Sequence, residues 1–297
     1  MDREPLVSVV IATYNMGQYL PEAIDSVLFQ TWKNLEIIVV DDGSTDDTPR
    51  KMKSFADNSR VRYISTENRG QPRAKNRGIH EAAGEFIAFC DADDLWTPDK
   101  LQLQMEYFSD PGVGVVYSDV SYIDNLGSPL IKAQPYKRHS GNVTKHLIIK
   151  NFVPFGTAVI RKSCVDNDGC FDENLPMGID WDLWLRYSIN WKFLYVPRRT
   201  YKYRVWPGQM SRNYRGRYEN AFLVLNKFIK NNPEALPEHT LARAKSDMYI
   251  SRGMHIAAAE NAFSEPLKDI ITGMKYDWRY TFGWKSLAKL LLNRARS

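Results

Sequence analysis

Short apolar runs that end in polar residues recur through the N-terminal third of the chain, and they constrain the fold more than any other feature. Leu6–Thr13, Leu35–Val40 and Phe86–Phe89 are runs of this kind. Segments with helical spacing of apolar residues, such as Tyr19–Leu28, lie between them. Buried strands that alternate with amphipathic helices are typical of a parallel sheet with helices on both faces. The sequence therefore predicts an α/β fold.

Polar side chains follow each of these three predicted strands. They are Thr13–Asn15, Asp41–Asp42 and Asp91–Asp94. Ligands of open α/β sheets bind at the carboxyl ends of the strands, so these three segments predict one common site. The chain has no G-x-G-x-x-G after a strand and no G-x-x-x-x-G-K-[ST] motif, which disfavours a dinucleotide-binding fold or a P-loop enzyme.

The acidic segment after Phe86–Phe89 allows two interpretations. Asp91 and Asp93 are two residues apart, so a strand would direct both to one side. Carboxylate oxygens on a rigid element suit Mg²⁺ or Mn²⁺, often together with a phosphate. Alternatively the segment is an acidic turn, with Asp94 and Thr97 capping a helix that starts at Pro98.

Other charged residues are also open to two interpretations. Arg73 and Lys75 lie near the start of a predicted helix, where they either face a phosphate or solvate the helix. Asp180 lies at the start of a later helix, where its carboxylate is either a helix cap or a functional group of the site. Asp182 and Arg186 are four residues apart, so we expect them to form an ion pair.

From about residue 212 the sequence pattern is typical of helices, which are predicted over 212–231, 237–262, 264–273 and 276–295. We therefore expect one domain over 1–211 and a helical region over 212–297. The last helix carries aromatic, leucine and basic residues. This pattern indicates a helix in a membrane interface, or one packed on its own protein or on a second subunit.

Composition narrows the class of protein. The net charge of +5 is too small to indicate nucleic-acid binding, and three cysteines without a C-x-x-C motif do not form a disulfide framework. The charged segment Met1–Pro5 does not have the pattern of a signal peptide, so we expect none, and no apolar run approaches the length of a membrane span. These observations predict a cytoplasmic protein. If the last helix lies in a membrane interface, the protein also makes peripheral contact at the inner face of the membrane.

Taken together, the motifs resemble the family 2 inverting glycosyltransferases over about Val7–Ser211. The motifs that carry the resemblance are Val7–Asn15, Val40–Asp46, Asn76–Ile79 with Ala83–Glu85, Asp91–Asp94 and Asp180–Arg186. The resemblance implies a GT-A fold, which is a Rossmann-like, mostly parallel sheet flanked by helices. Two departures are Ile179, where the family often has an acidic residue, and Lys75, where it often has Arg.

The resemblance also implies roles for single residues. Asp180 would be the general base, and Asp93 with Asp91 would bind Mn²⁺ or Mg²⁺. Asp42, beside Asp41, would accept from the ring nitrogen of the base, which suits uracil. The residues expected to bind the nucleotide are Ala12, Thr13, Tyr14, Asp41, Asp42, Arg73, Lys75 and Asp91.

The predicted function is therefore metal-dependent transfer of one hexosyl or N-acetylhexosaminyl group from a nucleotide-diphosphate sugar, with UDP the favoured nucleotide. The acceptor would be a hydroxyl of a glycan or a lipid-linked acceptor in bacterial surface polysaccharide synthesis, and the protein could form a homo-oligomer. Two alternatives remain open from the sequence. One is an inactive nucleotide-sugar-binding protein, and the other is a phosphatase of the haloacid dehalogenase type, although Leu95 departs from that motif.

Overall fold

The computed structural model describes residues 4–132, 136–209 and 213–296. Contacts divide the chain into two compact units. The first contains 1–143 and 152–209, and the second contains 144–151 and 210–297. The predicted boundary between 211 and 212 lies outside the described residues, so the placement of the domain boundary there stays a prediction.

All strands of the described residues belong to the first unit and form one sheet. The strands are β1 (Val7–Thr13), β2 (Leu35–Asp41), β3 (Val61–Ser65), β4 (Phe86–Phe89), β5 (Leu95–Trp96), β6 (Val113–Ile123), β7 (Pro129–Leu130), β8 (Val159–Arg161) and β9 (Lys192–Arg204). Their order in the sheet is β3-β2-β1-β4-β8-β6-β9-β5, and β7 pairs with β6.

Helices flank this sheet and form most of the second unit. Those of the first unit are α1 (Leu20–Leu28), α2 (Thr48–Met52), α3 (Gln71–Glu81), α4 (Lys100–Met105), α6 (Lys162–Asp168) and α7 (Ile179–Asn190). Those of the second unit are α5 (Thr144–Leu147), α8 (Tyr214–Asn231), α9 (Glu238–Glu260), α10 (Ser264–Tyr276) and α11 (Thr281–Arg296).

The three strands predicted to share a site are neighbours. β1 pairs in parallel with β2 on one side and with β4 on the other. Thr13 lies opposite Asp41 in this register, so the polar segments after β1, β2 and β4 lie at one edge of the sheet. Antiparallel pairing of β4 with β8 and of β8 with β6 makes the sheet mixed. The predicted α/β fold is confirmed.

The segment after the acidic turn does not fold as the capping alternative predicts. Leu95 and Trp96 form β5, which pairs antiparallel with β9, and α4 begins only at Lys100. The Thr97 hydroxyl donates to Asp99 (2.7 Å) rather than to a helix N–H. The helix start predicted at Pro98 is therefore wrong, because strand pairing holds the chain extended to that point.

The sequence also predicts a strand over Phe155–Arg161, strands over Lys192–Val196 and Arg199–Val205, and a loop over 128–140. The structure differs from each of these three predictions. The strand predicted over Phe155–Arg161 is a 3₁₀ turn over Phe155–Thr157 followed by β8. The two strands predicted between Lys192 and Val205 are the single strand β9, whose pairing with β6 contains register shifts. The loop predicted over 128–140 contains β7, and its residues 133–135 lie outside the described residues.

Each unit has its own apolar core. Val9, Ile11, Ile37 and Val39 are fully buried in the sheet of the first unit. In the second unit, a smaller cluster forms around Ile250, Ile270 and Leu290. The strands of the first core are covered on both faces, which is why their sequences are continuous apolar runs rather than alternating ones.

Candidate active site

The first side of the site is built from the loops after β1 and β2. The carbonyl of Thr13 accepts the N–H of Asp42 (2.9 Å), and Asn15 has a positive φ of 54°. The Asn15 side-chain oxygen accepts the N–H groups of Thr45 (2.8 Å) and Asp46 (3.2 Å). Asn15 therefore ties the two loops together. Next to it, the ring of Tyr14 is exposed and Ala12 is partly buried, at the open edge of β1.

Asp41 has a structural environment. Its fully buried carboxylate accepts the N–H of Ser44 (2.8 Å) and the hydroxyl of Tyr63 (2.5 Å). Burial, together with this bond to an anionic acceptor, raises the pKa of Tyr63. Asp41 thus orients the turn after β2, and a direct role toward a nucleotide stays a prediction.

Asp42 points to the loop before α3. One of its oxygens accepts the N–H of Arg69 and the other accepts the N–H of Gly70, both at 2.8 Å. An ionised carboxylate has about four lone-pair sites, so Asp42 keeps acceptor capacity beyond these bonds. The adjacent Gly43 has a φ of +75°, and a Cβ there would lie 2.7 Å from the Asn68 nitrogen. The chain therefore requires glycine at this turn.

Asp91 and Lys75 form the second side of the site. The Lys75 ammonium lies 2.9 Å from the Asp91 carboxylate and 3.6 Å from the centre of the Phe155 ring. The Asp91 N–H donates to the hydroxyl of Tyr201 on β9 (3.2 Å). Lys75, on α3, thus carries a buried positive charge to the end of β4. Its predicted contact with the nucleotide is not tested by this geometry.

The segment after β9 binds Asp93, whereas α3 binds Asp91. The indole N–H of Trp206 donates to the Asp93 carboxylate at 2.7 Å. Burial raises the pKa of Asp93, and the nearby charge of Asp91 raises it further, whereas the bond from Trp206 lowers it. Asp93 is therefore a poorly solvated carboxylate with a second carboxylate nearby, an arrangement that favours a cation beside it.

Asp94 is buried beneath the acidic turn, and its role is structural. Its carboxylate accepts the backbone N–H of Arg204 at 2.6 Å. The Arg204 guanidinium donates to the carbonyl of Asp93 (2.7 Å) and pairs with Glu22 (2.7 Å). Burial raises the pKa of Asp94 well above its usual range, and the charges of Asp93 and Asp91 act in the same direction. Helix capping by Asp94, the alternative that the sequence left open, is wrong, because α4 begins only at Lys100 and the Asp94 carboxylate binds β9 instead.

The residues present suit a divalent cation with few protein ligands. In residues 4–132, 136–209 and 213–296, no group of three or more His, Cys, Asp and Glu side chains is arranged to enclose a metal. Mg²⁺ typically binds one or two carboxylates and completes its shell with phosphate oxygens and water. The carboxylates of Asp91, which is partly exposed, and Asp93, which is mostly buried, match that donor set.

Asp180 lies in the first turn of α7, and aromatic rings connect this helix to β4. Phe155 stacks on Phe89 of β4 with 4.8 Å between ring centroids. Phe171 contacts both rings, and Trp184 of α7 lies 6.3 Å from Phe155. These four rings, which we call the aromatic cluster, join the helix of Asp180 to the strand that leads to Asp91.

The segment that enters α7 is also bound to α3. The Asn76 side chain donates to the Phe171 carbonyl and accepts the Phe171 N–H, both at 2.9 Å. Arg73 pairs with Glu173 at 3.0 Å in a half-exposed position. Arg73 therefore has a protein partner, and its predicted contact with a phosphate stays a prediction. The ion pair expected between Asp182 and Arg186 is present at 3.0 Å and is confirmed.

Sequence reasoning missed the contribution of β9 to the site. Tyr201, Arg204 and Trp206 all contact the Asp91–Asp94 turn. The available signal was that a predicted strand ended just before Trp206. The sequence does not indicate at which edge of the sheet, the one with Asp91 and Asp93 or the opposite one, this strand ends.

The sequence of the chain is similar to those of known proteins. The profile described as Glycosyl transferase family 2 matches residues 8–168, which is more than half of the chain. The chain is 31% identical to a chondroitin synthase of Escherichia coli, over 77% of this chain and 33% of that protein. The first curated relatives are likewise longer, and the chain spans 37% and 58% of the lengths of two of them.

Solved structures show the same fold. S. aureus TarS 1–349 in complex with UDP-GlcNAc has a TM-score of 0.64 and 16% identity, covering 98% of this chain and 91% of that one. Mannosyltransferase PcManGT of Pyrobaculum calidifontis, in complex with GDP-Man and Mn²⁺, has a TM-score of 0.65 and 20% identity, covering 99% and 87%.

The fold and the strand-end site together define a glycosyltransferase of the GT-A type. The chain belongs to glycosyltransferase family 2, as the sequence motifs predicted. The alternative of a haloacid dehalogenase-type phosphatase is therefore wrong. Among the helices that the structure describes, none has the length and apolarity needed to cross a bilayer.

Proposed function

We propose that this protein transfers one sugar from a nucleotide-diphosphate sugar to an acceptor hydroxyl, with inversion at the anomeric carbon. The observation that carries the proposal is the Asp91–Asp94 turn, whose two site carboxylates are bound from different elements by Lys75 and Trp206. In a family 2 member, this turn is a rigid place to hold the diphosphate of a donor.

Charge at the turn matches the demands of the reaction. As the bond between the anomeric carbon and the diphosphate breaks, negative charge grows on the leaving oxygen. A divalent cation held by Asp93 and Asp91 would stabilise that charge when bound. The buried ammonium of Lys75 adds a fixed positive charge at the same strand end. Both features favour departure of the nucleoside diphosphate.

Asp180 is the proposed general base. The acceptor hydroxyl attacks the anomeric carbon from the face opposite the diphosphate, and its proton moves to the Asp180 carboxylate. A single displacement of this kind needs no covalent intermediate with the protein. The aromatic cluster and the two Asn76 bonds support the assignment, because they hold α7 rigidly relative to β4 and α3.

The nucleotide is proposed to lie against β1 and β2. Ala12, Thr13 and Tyr14 would contact the base, and Asp42 would accept from its ring nitrogen, with Asp41 supporting the turn. UDP is the proposed nucleotide, which agrees with the UDP-GlcNAc complex of TarS, although the mannosyltransferase neighbour binds GDP-Man. Mn²⁺ and Mg²⁺ are both candidates for the cation.

The proposed acceptor is a glycan or lipid-linked hydroxyl in bacterial surface polysaccharide synthesis. Similarity to a chondroitin synthase supports a polysaccharide product. We propose a cytoplasmic location with peripheral contact at the inner face of the membrane. The expectation of a homo-oligomer stays a prediction.

Two substitutions test the roles separately. Asp180→Asn should leave donor affinity unchanged and lower the transfer rate by about 10²- to 10⁴-fold, the usual contribution of a general base. Asp93→Asn should weaken Mn²⁺-dependent donor binding. Calorimetric titration of UDP-sugars and GDP-sugars with and without Mn²⁺ measures binding, and release of nucleoside diphosphate measures transfer.

Asp57→Asn is the matched control, because Asp57 is exposed in a turn between α2 and β3. This variant should bind and transfer like the wild type. Normal transfer by Asp180→Asn would show that another group removes the proton. Binding of nucleotide-sugars without turnover by the wild type, unchanged in Asp180→Asn, would instead favour the inactive binding protein.

A further inference from the structure

The last helix of the second unit exposes an apolar stripe. Trp284 is 54% exposed, Leu291 49% and Leu292 59%. At 3.6 residues per turn, these side chains and Ala288 lie on one side of α11. Trp278, which is 65% exposed, adjoins them because its carbonyl accepts the indole N–H of Trp284 at 2.8 Å. We call these five residues the tryptophan face.

The tryptophan face is distinct from the face that packs α11 onto the second unit. Leu290 is buried in the cluster with Ile250 and Ile270. Gly283 also faces inward, where a Cβ would lie 2.8 Å from the Met274 side chain. The packing requirement of the unit is therefore met by the opposite side of the helix, and it does not explain the exposed tryptophans and leucines.

Positive charges border the tryptophan face. Lys285 and Lys289 are exposed one position along the helix from Trp284 and Ala288, and within the described part of the chain neither forms an ion pair. The Arg279 guanidinium lies 5.4 Å from the Trp278 ring centre. The nearby acid Asp277 is already paired with Arg243 at 2.5 Å. The border is therefore cationic and not neutralised.

We propose that the tryptophan face binds the surface of a bilayer that contains anionic phospholipids. Tryptophan and leucine on one side of a helix, bordered by lysines, match the boundary between acyl chains and charged headgroups. A second copy of the chain fits less well, because a two-fold contact would bring Lys285 and Lys289 toward the same lysines of the partner. The inference does not depend on the proposed sugar transfer.

Binding of the full chain to vesicles tests the proposal. The probes are vesicles of phosphatidylcholine alone and vesicles of phosphatidylcholine with phosphatidylglycerol, in co-sedimentation assays at low and high salt. We expect binding to the anionic vesicles only, weakening as salt rises, with a blue shift of tryptophan emission.

Two double variants separate the apolar from the charged contribution. Trp284→Ser with Leu291→Ser should abolish binding, and Lys285→Glu with Lys289→Glu should weaken it by about tenfold or more. The matched controls are Leu126→Ser on the first unit and Lys230→Glu with Lys268→Glu on the second, all at exposed positions. Leu126→Ser does not change the net charge, so it should bind both kinds of vesicle within twofold of the wild type. Lys230→Glu with Lys268→Glu changes the net charge as much as Lys285→Glu with Lys289→Glu does, and its binding should stay within twofold of the effect of net charge alone.

Other outcomes would overturn the proposal. Circular dichroism and thermal melting first show that each variant is folded. Folded wild type that binds neither kind of vesicle rules out the lipid surface. Equal loss of binding in the lysine controls would mean that net charge, and not this face, attracts the protein. A lipid-free dimer that Trp284→Ser with Leu291→Ser dissociates, in sedimentation experiments, would assign the face to a second copy.

Discussion

Replacing Trp206 by Phe removes one hydrogen bond to the second carboxylate of the acidic turn. The indole N–H lies 2.7 Å from the Asp93 oxygen, and a hydrogen bond to a charged group contributes about 1.5–3 kcal/mol. Phenylalanine keeps a ring that can contact Tyr19, whose centroid lies 5.9 Å from that of Trp206. The change is therefore confined largely to the lost donor.

Loss of the indole N–H donor should weaken cation binding, because it makes the Asp93 carboxyl group harder to ionise. Burial and the charge of Asp91 already raise the pKa of Asp93, and removal of the Trp206 bond raises it further. At a given pH, less of the carboxylate is then ionised. We expect Mn²⁺ affinity in the presence of UDP to fall by up to about 150-fold, which is 3 kcal/mol, and the acid limb of binding to move to higher pH.

Trp191→Phe is the matched control for this prediction. Its indole N–H also donates to an aspartate at 2.7 Å, but the acceptor is Asp168, at the end of α6. Both variants should lose comparable stability in urea unfolding, whereas only Trp206→Phe should lose Mn²⁺ affinity in calorimetric titrations. Equal Mn²⁺ affinities and identical pH profiles for Trp206→Phe and the wild type would refute the reasoning.

Three further predictions concern the framework of the first unit. Burial lowers the pKa of Lys100 to about 7, against about 10.4 when unfolded, so the unfolded chain binds more protons between these values and stability should rise with pH there. Lys100→Met should remove this rise, by up to about 1.4 kcal/mol per pH unit, in urea unfolding at several pH values. Gly43→Ala should cost about 1–3 kcal/mol and lower the melting temperature, whereas Gly127→Ala, also at positive φ but with only an ordinary contact at 3.9 Å from the Arg204 guanidinium, isolates the backbone strain from the clash. Asn76→Ala should cost about 1–3 kcal/mol and lower the transfer rate more than donor affinity, because it frees the segment that enters α7; equal loss of both would contradict this account.

The sequence predicted the strands whose burial leaves a simple pattern. β1, β2 and β4 are covered on both faces, so they appear as continuous apolar runs, and their polar ends could be assigned to one edge. The Asp182–Arg186 ion pair followed from helical spacing alone. These features depend on neighbouring residues, or on the one rule that parallel strands share an edge.

Contacts between distant segments were beyond the reach of such patterns. Asp93 and Trp206 are separated by 113 residues, and Asp94 and Arg204 by 110. A carboxylate after a strand has the same sequence signature whether it accepts a local N–H or one from another strand. The sequence around Asp94 is therefore compatible with a cap, whereas in the structure the Asp94 carboxylate binds β9.

The second unit is assembled from two separated stretches, and this has a consequence for synthesis of the chain. Lys150 pairs at 2.5 Å with the buried Asp247, 97 residues later. At about 5–20 residues per second, the ribosome needs roughly 5–20 s to make that partner. Leu147 and Ile148 are fully buried in the finished protein. During this interval the later helices of their own unit have not yet been synthesised. Because β8 and β9 are made within the same interval, every strand of the sheet is synthesised before the second stretch of this unit is complete.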